Sequence, residues 1–154
     1  MIEIEAAELP EHLAHVRRLF REYADALGID LCFQNFEAEL AELPGRYAPP
    51  DGRLLLAWHG TRAIGCVALR PVDGPVCEMK RLYVDPSMRG RGLGRALAER
   101  ICNEAREAGY RRICLDTLPS MSSAIELYSA MNFQPVTPYV FNPVRGVVFL
   151  GLEL

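Results

Sequence analysis

The amino-acid sequence predicts one α/β domain, in the broad sense that includes α+β folds, with a mixed and mostly antiparallel sheet of about seven strands flanked by about four helices. Two observations support this prediction. Segments that alternate apolar and polar residues, as strands do, are interspersed with segments whose apolar residues recur at the helical spacing of three or four. The 154 residues suit a single domain over residues 1–154, and half of them are hydrophobic, enough for a buried core.

The first part of the chain is predicted to form a strand, two helices and then three strands. Apolar and charged residues alternate at residues 2–5, which predicts a short strand. A helix begins at Pro10 and ends at Gly28, because proline is tolerated in the first turn of a helix and glycine readily ends one. A second helix ends at Pro44. The three strands, separated by turn-forming residues, are predicted at 53–58, 63–70 and 76–84.

The second part of the chain alternates helices and strands. A glycine-dense turn leads into a helix over residues 92–108, and a strand is predicted at 112–117. A further helix runs from Ser120 or Ser122 to Met131, since serine is a favoured residue at the start of a helix. The last two strands are predicted at 133–140 and 147–154. This order of elements is typical of a mixed sheet.

Composition and charge exclude several classes of function. The formal net charge is −3, yet residues 80–112 carry +5 and the rest carries −8. Such a chain is a poor nucleic-acid binder but suits a small anion bound at one place. No run approaches the roughly 20 apolar residues that span a bilayer, and the N-terminus lacks the features of a signal peptide. The five cysteines include no CxxC pair, so no metal site is predicted. We therefore expect a cytoplasmic protein that binds neither nucleic acid nor membrane.

The strongest local signal is the glycine-dense turn between the strand at 76–84 and the helix that follows. It reads Arg-Gly-Arg-Gly-Leu-Gly over residues 89–94. Glycines let the backbone turn tightly and let a ligand approach its N–H groups. The first turn of a helix also leaves N–H groups unpaired, and the helix dipole favours an anion there. The turn is therefore predicted to hold a phosphate group, with Arg89, Arg91 and Arg95 around it.

Three phosphate-binding patterns can be compared with this turn. The dinucleotide fingerprint GxGxxG fails because Arg95 stands where the third glycine belongs. The nucleotide-triphosphate pattern GxxxxGK[ST] is absent, and the only lysine is Lys80. A diphosphate cradle of the form [Q/R]xxGx[G/A] fits at Arg89, Gly92 and Gly94. The alternative interpretation is a glycine-rich turn with solvated arginines.

Together with the segments on either side, the sequence of this turn resembles that of the GNAT superfamily of N-acetyltransferases. The resemblance covers essentially the whole chain. The matching segments are Lys80-Arg81-Leu82-Tyr83-Val84, the turn itself, Ile113-Cys114-Leu115-Asp116-Thr117, and residues 124–133, which read Ala-Ile-Glu-Leu-Tyr-Ser-Ala-Met-Asn-Phe. The resemblance implies transfer of an acetyl group from acetyl-coenzyme A to a primary amine, by direct attack in a ternary complex and without a metal. The expected acceptor is a small-molecule amine. The alternatives are a non-catalytic module that senses acyl-coenzyme A and a protein N-acetylase; dimerisation is common among relatives.

The resemblance also implies where the cofactor binds. The sheet should splay open after the strand at 76–84, and the pantetheine arm should lie beside Leu82, Tyr83 and Val84. The diphosphate should sit on backbone N–H groups of the turn, formed by Arg89, Gly90, Arg91, Gly92, Leu93, Gly94 and Arg95.

Two positions depart from the family pattern. Met121 stands where many members carry an asparagine, so Ser122 is the predicted replacement for that cofactor contact. Asn132 stands in place of the usual glycine, and asparagine tolerates the left-handed conformation of a helix end.

For the chemistry, the resemblance points to Tyr128 as the proton donor to the departing thiolate. Its alternative role is that of a core tyrosine with its hydroxyl bonded to backbone. Glu78 is the predicted base, acting directly or through a water. A plain ion pair of Glu78 with Lys80, on the same face of the strand, is equally compatible with the sequence. Asp116 is the second candidate for the base.

The acceptor is expected to contact two loop segments, as it does in many family members. These are about residues 25–36 and 138–145. Phe33, Tyr139 and Asn142 are the candidate substrate contacts, although each also fits the role of an ordinary loop residue. The residues outside 80–112 carry a net negative charge, which mildly favours a cationic amine as the acceptor.

Overall fold

Seven strands form one mixed sheet in the computed structural model, which describes the backbone of residues 1–154 and every side chain except that of Phe33. The strands are β1 (Ile2–Ala6), β2 (Arg53–His59), β3 (Arg62–Asp73), β4 (Val76–Val84), β5 (Arg112–Thr117), β6 (Gln134–Pro135) and β7 (Val148–Glu153). They lie in the order β1–β2–β3–β4–β5–β7–β6. Of the neighbouring pairs, only β4 and β5 are parallel. The predicted fold class is confirmed.

Four α-helices cover the two faces of the sheet. They are α1 (Leu13–Leu27), α2 (Phe36–Glu42), α3 (Leu93–Glu107) and α4 (Ser122–Ala130). Short 3-10 turns lie at Cys32–Gln34, Gly45–Tyr47 and Pro86–Met88. The apolar stripe of α1 packs with Leu54 and Leu56 of β2 on one face, whereas that of α3 packs with Leu55 of β2 on the other. Alternate residues of β2 thus contribute side chains to two separate hydrophobic cores, one on each face of the sheet.

The C-terminal segment departs from the prediction. The sequence predicts a strand over residues 133–140, but β6 spans only Gln134–Pro135 before the chain becomes irregular up to β7. Pro135, Pro138 and Pro143 explain the difference, because proline lacks the N–H that a strand ladder needs. The irregular segment lies next to the end of β5, where it brings Tyr139 and Asn142 against the sheet.

The sheet opens between β4 and β5, as the family resemblance implies. Their parallel ladder contains three pairs, Val76 with Arg112, Cys77 with Ile113 and Glu78 with Cys114. Past that point β4 pairs only with β3, and β5 pairs only with β7. The two strands therefore separate into a wedge-shaped cleft, and one edge of β4 has no strand beside it.

A bulge in β4 lies directly at this opening. Lys80 pairs with Ala68 and Tyr83 with Cys66, so two residues of β4, Arg81 and Leu82, oppose one of β3. Arg81 has a φ of 62°, in the left-handed region that non-glycine residues rarely adopt. Bulges of this kind bend a strand and re-aim its side chains.

The strained Arg81 is fastened by a buried ion pair. Its Nε and Nη2 lie 2.9 and 3.0 Å from the two carboxylate oxygens of Glu39 in α2. The guanidinium also stacks against Phe36 and Tyr23, with 5.1 and 5.5 Å to the ring centroids. Because Arg81 is only 2% exposed, loss of Glu39 would leave a buried charge without its partner.

We expect Glu39→Ala to lower the free energy of unfolding by about 3 kcal/mol, since it orphans the buried Arg81 guanidinium. Glu37→Ala is the matched control on the same helix, because the ion pair of Glu37 with Arg21 is exposed to solvent. That control should change stability by less than about 0.5 kcal/mol. Urea unfolding measures both variants, and equal losses would contradict the structural role given to Arg81 and Glu39.

Candidate active site

Two adjoining pockets, together called the cleft here, lie at the opening between β4 and β5. Its outer part is lined by the glycine-rich turn and by the start of α4: Tyr83, Val84, Met88, Arg89, Gly90, Gly92, Leu93, Gly94, Ser120, Ser123 and Leu127. Its inner part is lined by polar and apolar side chains that include Gln34, Lys80, Leu115, Asp116, Tyr128 and Asn142. The two parts adjoin each other, because both are lined by Tyr23, Leu27, Leu82, Met121 and Ala124.

The outer part has the features of an anion site. The helix α3 begins after Gly92 without a side-chain cap, so its first backbone N–H groups remain available. Gly90 and Gly92 have φ values of 80° and 75°, which favour glycine. A Cβ at either position would meet no atom within 4 Å, so space lies open in front of the helix start. The turn therefore fits a diphosphate group.

Only some of the predicted basic residues face this space. The Nε of Arg89 donates to the carbonyl oxygen of Val84 at 3.0 Å, and its guanidinium lies 5.6 Å from the centroid of the Tyr83 ring. Arg95 instead pairs with Glu99 at 2.8 Å on the surface. Neither Arg95 nor Arg91 is among the residues that line the cleft.

The predicted cofactor residues can be placed in two groups. Leu82, Tyr83, Val84, Arg89, Gly90, Gly92, Leu93 and Gly94 line the outer part of the cleft. Ser122, the first residue of α4, is not among the lining residues, whereas the nearby Ser120 and Ser123 are. No sequence pattern singles out Met88 or Ser123, and Ser120 is predicted only as a helix cap.

Tyr128 of α4 belongs to the hydrophobic core beneath the inner part of the cleft. It is buried and packs against the Phe133 ring, with 5.5 Å between ring centroids. Burial raises the pKa of the Tyr128 phenol above its usual value, so the hydroxyl keeps its proton. Among the described residues, this hydroxyl has no hydrogen-bond partner, and Tyr128 lines the inner part of the cleft.

Glu78 occupies a buried position beside the last rung of the β4–β5 ladder. Its Oε1 accepts a hydrogen bond from Nε of Arg70 at 2.9 Å, and its Oε2 accepts one from the Tyr139 hydroxyl at 2.8 Å. Burial, together with the negative charge of Glu78, raises the pKa of Tyr139. Lys80 lies 3.8 Å from the same Oε2. Glu78 itself is not among the residues that line the cleft.

Lys80 and Asp116 face each other across the inner part of the cleft. The distance from Nζ of Lys80 to Oδ1 of Asp116 is 4.0 Å, and both residues line the cleft. Gln34 accepts a hydrogen bond from Lys80 at 3.2 Å, and Asn142 donates one to Oδ2 of Asp116 at 3.0 Å. Burial lowers the pKa of Lys80, although the negative charge of Glu78 opposes the shift.

The predicted substrate contacts therefore have different surroundings. Asn142 lines the inner cleft, whereas Tyr139 is bonded to Glu78 beside it. The side chain of Phe33 lies outside the described residues. Sequence reasoning missed Gln34, and it indicated Lys80 only as an ion-pair partner of Glu78.

The described chain contains neither a membrane span nor a metal cluster. No helix is both long enough and apolar enough to cross a bilayer. No group of three or more described His, Cys, Asp or Glu residues has the arrangement needed to hold a metal ion.

Comparison with known proteins gives a consistent set of relatives. The model of the acetyltransferase (GNAT) family matches residues 13–133. An uncharacterised N-acetyltransferase of Schizosaccharomyces pombe is 44% identical over 156 residues, which cover 99% of this chain and 95% of that protein. A crystal structure of an acetyltransferase from Streptococcus agalactiae superposes with a TM-score of 0.77 at 26% identity, covering 99% of this chain and 98% of the other.

A more distant structure shares the fold. The PaiA N-acetyltransferase of Thermoplasma acidophilum, solved in complex with coenzyme A, superposes with a TM-score of 0.78 at 18% identity. The superposition covers 100% of this chain and 99% of that one.

We expect Gly92→Glu to abolish coenzyme A binding, because it puts a side chain and a negative charge in front of the uncapped start of α3. Gly109→Glu is the control: Gly109 follows the other end of the same helix, also has positive φ, and a Cβ there would also meet no atom within 4 Å. Calorimetry should find that Gly109→Glu, although strained, still binds coenzyme A. Retained affinity in Gly92→Glu would contradict the assignment of the diphosphate site.

Proposed function

Because the chain belongs to the acetyltransferase (GNAT) family, we propose that it transfers an acetyl group from acetyl-coenzyme A to the nitrogen of a small primary amine. The observation that carries this proposal is that the uncapped start of α3 and the polar groups at Lys80 and Asp116 line two adjoining parts of the cleft. A site suited to an anion thus lies beside a site suited to proton exchange. Acetyl-coenzyme A, when bound, supplies the activated thioester.

Binding of the cofactor is assigned to backbone groups. The first N–H groups of α3 would hold the diphosphate, and the free edge of β4 near Leu82, Tyr83 and Val84 would pair with the amides of the pantetheine arm. Apolar residues shared by both parts of the cleft, such as Leu27 and Ala124, would exclude water from the arm. Arg89 would stabilise the β4 end through its bond to Val84.

Tyr128 is proposed to protonate the departing sulfur. A thiol of ordinary pKa near 8.5 leaves more easily when a neighbouring acid supplies a proton. The raised pKa of Tyr128 keeps its phenol protonated at neutral pH, which suits a donor. The hydroxyl also has no competing acceptor among the described residues, so donation would break no existing hydrogen bond.

The proton acceptor is one of two buried carboxylates. Glu78 stays the prediction from the sequence, and its route to the cleft would run through the hydroxyl of Tyr139. Asp116 offers a direct route, because it lines the cleft and its Oδ1 makes no hydrogen bond to a described residue, Lys80 being 4.0 Å away. The geometry favours Asp116, since a base must come within hydrogen-bond reach of the proton that it takes.

A module that only senses acyl-coenzyme A fits the cleft less well. Such a module needs no proton donor, whereas Tyr128 lines the inner cleft and its hydroxyl makes no hydrogen bond to a described residue. A protein N-acetylase is the other alternative, and peptide acceptors in the turnover assay distinguish it from an enzyme that acts on small amines.

Tyr128→Phe should lower kcat by roughly 100-fold, the contribution typical of a general acid, and leave coenzyme A affinity nearly unchanged. Tyr110→Phe is the matched control, because Tyr110 bonds to the Asp51 backbone on the surface and does not line the cleft. Release of free thiol with a panel of amines measures turnover. Full activity in Tyr128→Phe would remove this tyrosine from the mechanism.

Chemical rescue separates the two carboxylates. Asp116→Ala should lower kcat/KM by roughly 100-fold, and added formate should restore part of the activity by replacing the missing proton acceptor. Glu78→Ala serves as the comparison, since removal of that carboxylate orphans Arg70 and Tyr139. Formate that rescues Glu78→Ala and not Asp116→Ala would return the role of base to Glu78.

A further inference from the structure

We propose that the acceptor is an α-amino acid with an apolar side chain, whose carboxylate binds Lys80 and whose amino group lies beside Asp116. The proposal rests on the acetyltransferase function above and names its substrate class. It is carried by a pair of oppositely charged side chains that the fold places together without letting them bond closely.

The register of the sheet explains why this pair is open. Glu78 and Cys114 form the last rung of the β4–β5 ladder. Two residues further along each strand stand Lys80 and Asp116, which would face each other on the next rung of the same face. Because the strands separate there, their side chains reach towards each other across the cleft and stop 4.0 Å apart.

The two arginines near the inner cleft each have a hydrogen-bonded carboxylate partner. Arg81 is bonded to both oxygens of Glu39, although its Nη1 makes no hydrogen bond to a described residue, and Arg70 is bonded to Glu78. Among the described residues, the ammonium of Lys80 makes one hydrogen bond, to the neutral amide of Gln34, and its carboxylate neighbours, Glu78 at 3.8 Å and Asp116 at 4.0 Å, lie beyond hydrogen-bond distance. An ammonium has three donors, so Lys80 has donors to spare although it is only 5% exposed.

Asp116 has spare capacity in the same way. Its Oδ2 accepts from Asn142, and its Oδ1 is the atom that faces Lys80. Buried charges that lack hydrogen-bonding partners are costly, and a ligand that supplies both partners removes that cost. An α-amino acid supplies both partners, because its carboxylate and its ammonium are attached to one carbon atom. The carboxylate can bind the Lys80 ammonium while the ammonium binds the Asp116 carboxylate.

The walls of the inner cleft indicate the nature of the side chain. Leu27, Ile29 and Leu31, from the end of α1 and the connection to α2, form an apolar wall beside Lys80. A substrate with a leucine-like or phenylalanine-like side chain would bury apolar area there. A second charged group on the substrate would meet no partner on that wall.

The proposed arrangement also gives a balanced reaction. Asp116 accepts one proton from the substrate ammonium, and the freed lone pair forms the new bond to the acetyl carbon as the carbon–sulfur bond breaks. Tyr128 donates its proton to the sulfur and regains one from the nitrogen. The nitrogen thus loses two protons in all, of which one ends on the thiol and the other leaves through Asp116 to solvent.

The test compares each amino acid with the amine that its decarboxylation gives. Leucine with isoamylamine and phenylalanine with phenethylamine are suitable pairs, and leucinamide controls for loss of charge alone. We expect kcat/KM to favour the amino acid by roughly 10- to 100-fold, the effect of one hydrogen bond to a charged group. In Lys80→Met the preference should fall towards unity, mainly through a higher KM for the amino acid.

A second measurement needs no turnover. Lys80 is the only lysine in the chain, so protein labelled with ¹³C-lysine gives a single side-chain methylene signal next to the ammonium. With coenzyme A bound, added leucine should shift this signal saturably, and isoamylamine should leave it nearly unmoved. This readout stands even if Lys80→Met proves to be unfolded.

The outcomes separate the inference from the function beneath it. Transfer to isoamylamine as fast as to leucine, with an unmoved lysine signal, would overturn the amino-acid proposal and leave the acetyltransferase function intact. Transfer to none of the amines, with coenzyme A bound, would count against the proposed function itself. Transfer to peptides alone would overturn the proposal in favour of a protein substrate.

Discussion

The separation of β4 from β5 after three ladder pairs is the constraint on which the site depends. A continuous ladder would pair the edge of β4 and close the space in front of α3. Because the strands diverge instead, one gap exposes backbone groups of β4, the start of α3 and the side chains of Lys80 and Asp116. The proposed cofactor binding and proton exchange would thus have a common structural origin.

The opening is maintained by buried polar contacts rather than by apolar packing alone. The bulge at Arg81 follows the last β4–β5 ladder pair, and the ion pair with Glu39 holds the strained residue against α2. On the other side of the gap, Tyr139 and Asn142 fasten the proline-rich segment to Glu78 and Asp116. Polar networks of this kind stabilise one arrangement only when their members are satisfied, which is why the loosely paired Lys80 and Asp116 stand out.

Local patterns in the sequence are sufficient to predict most of the fold. Alternation and helical spacing identify the helices and all seven strands. The anion-binding role of the turn at 89–94, inferred from glycine and helix-end chemistry, stays a prediction. The predicted length of β6 is wrong. The prediction relied on the apolar residues after Phe133 and gave too little weight to the prolines, which cannot donate the hydrogen bonds of a ladder. Apolar spacing predicts a strand correctly only where the same residues can also form the backbone hydrogen bonds of a ladder.

The inner site is harder to predict, because it depends on register between distant strands. Nothing in the neighbourhood of Lys80 indicates that Asp116, 36 positions later, will lie 4.0 Å away. Gln34 and Asn142 come from connections whose course is set by tertiary contacts. Likewise, the side chains of Arg91 and Arg95 can be counted as positive charge, but their direction cannot be inferred from the turn.

The most direct test of the account is a crystal structure of the protein with coenzyme A bound. The account predicts that the diphosphate contacts the backbone N–H groups at the start of α3 and that the pantetheine arm runs along the free edge of β4. The sulfur should then lie beside the hydroxyl of Tyr128, facing Lys80 and Asp116. A cofactor bound elsewhere, with the gap between β4 and β5 filled by protein, would contradict it.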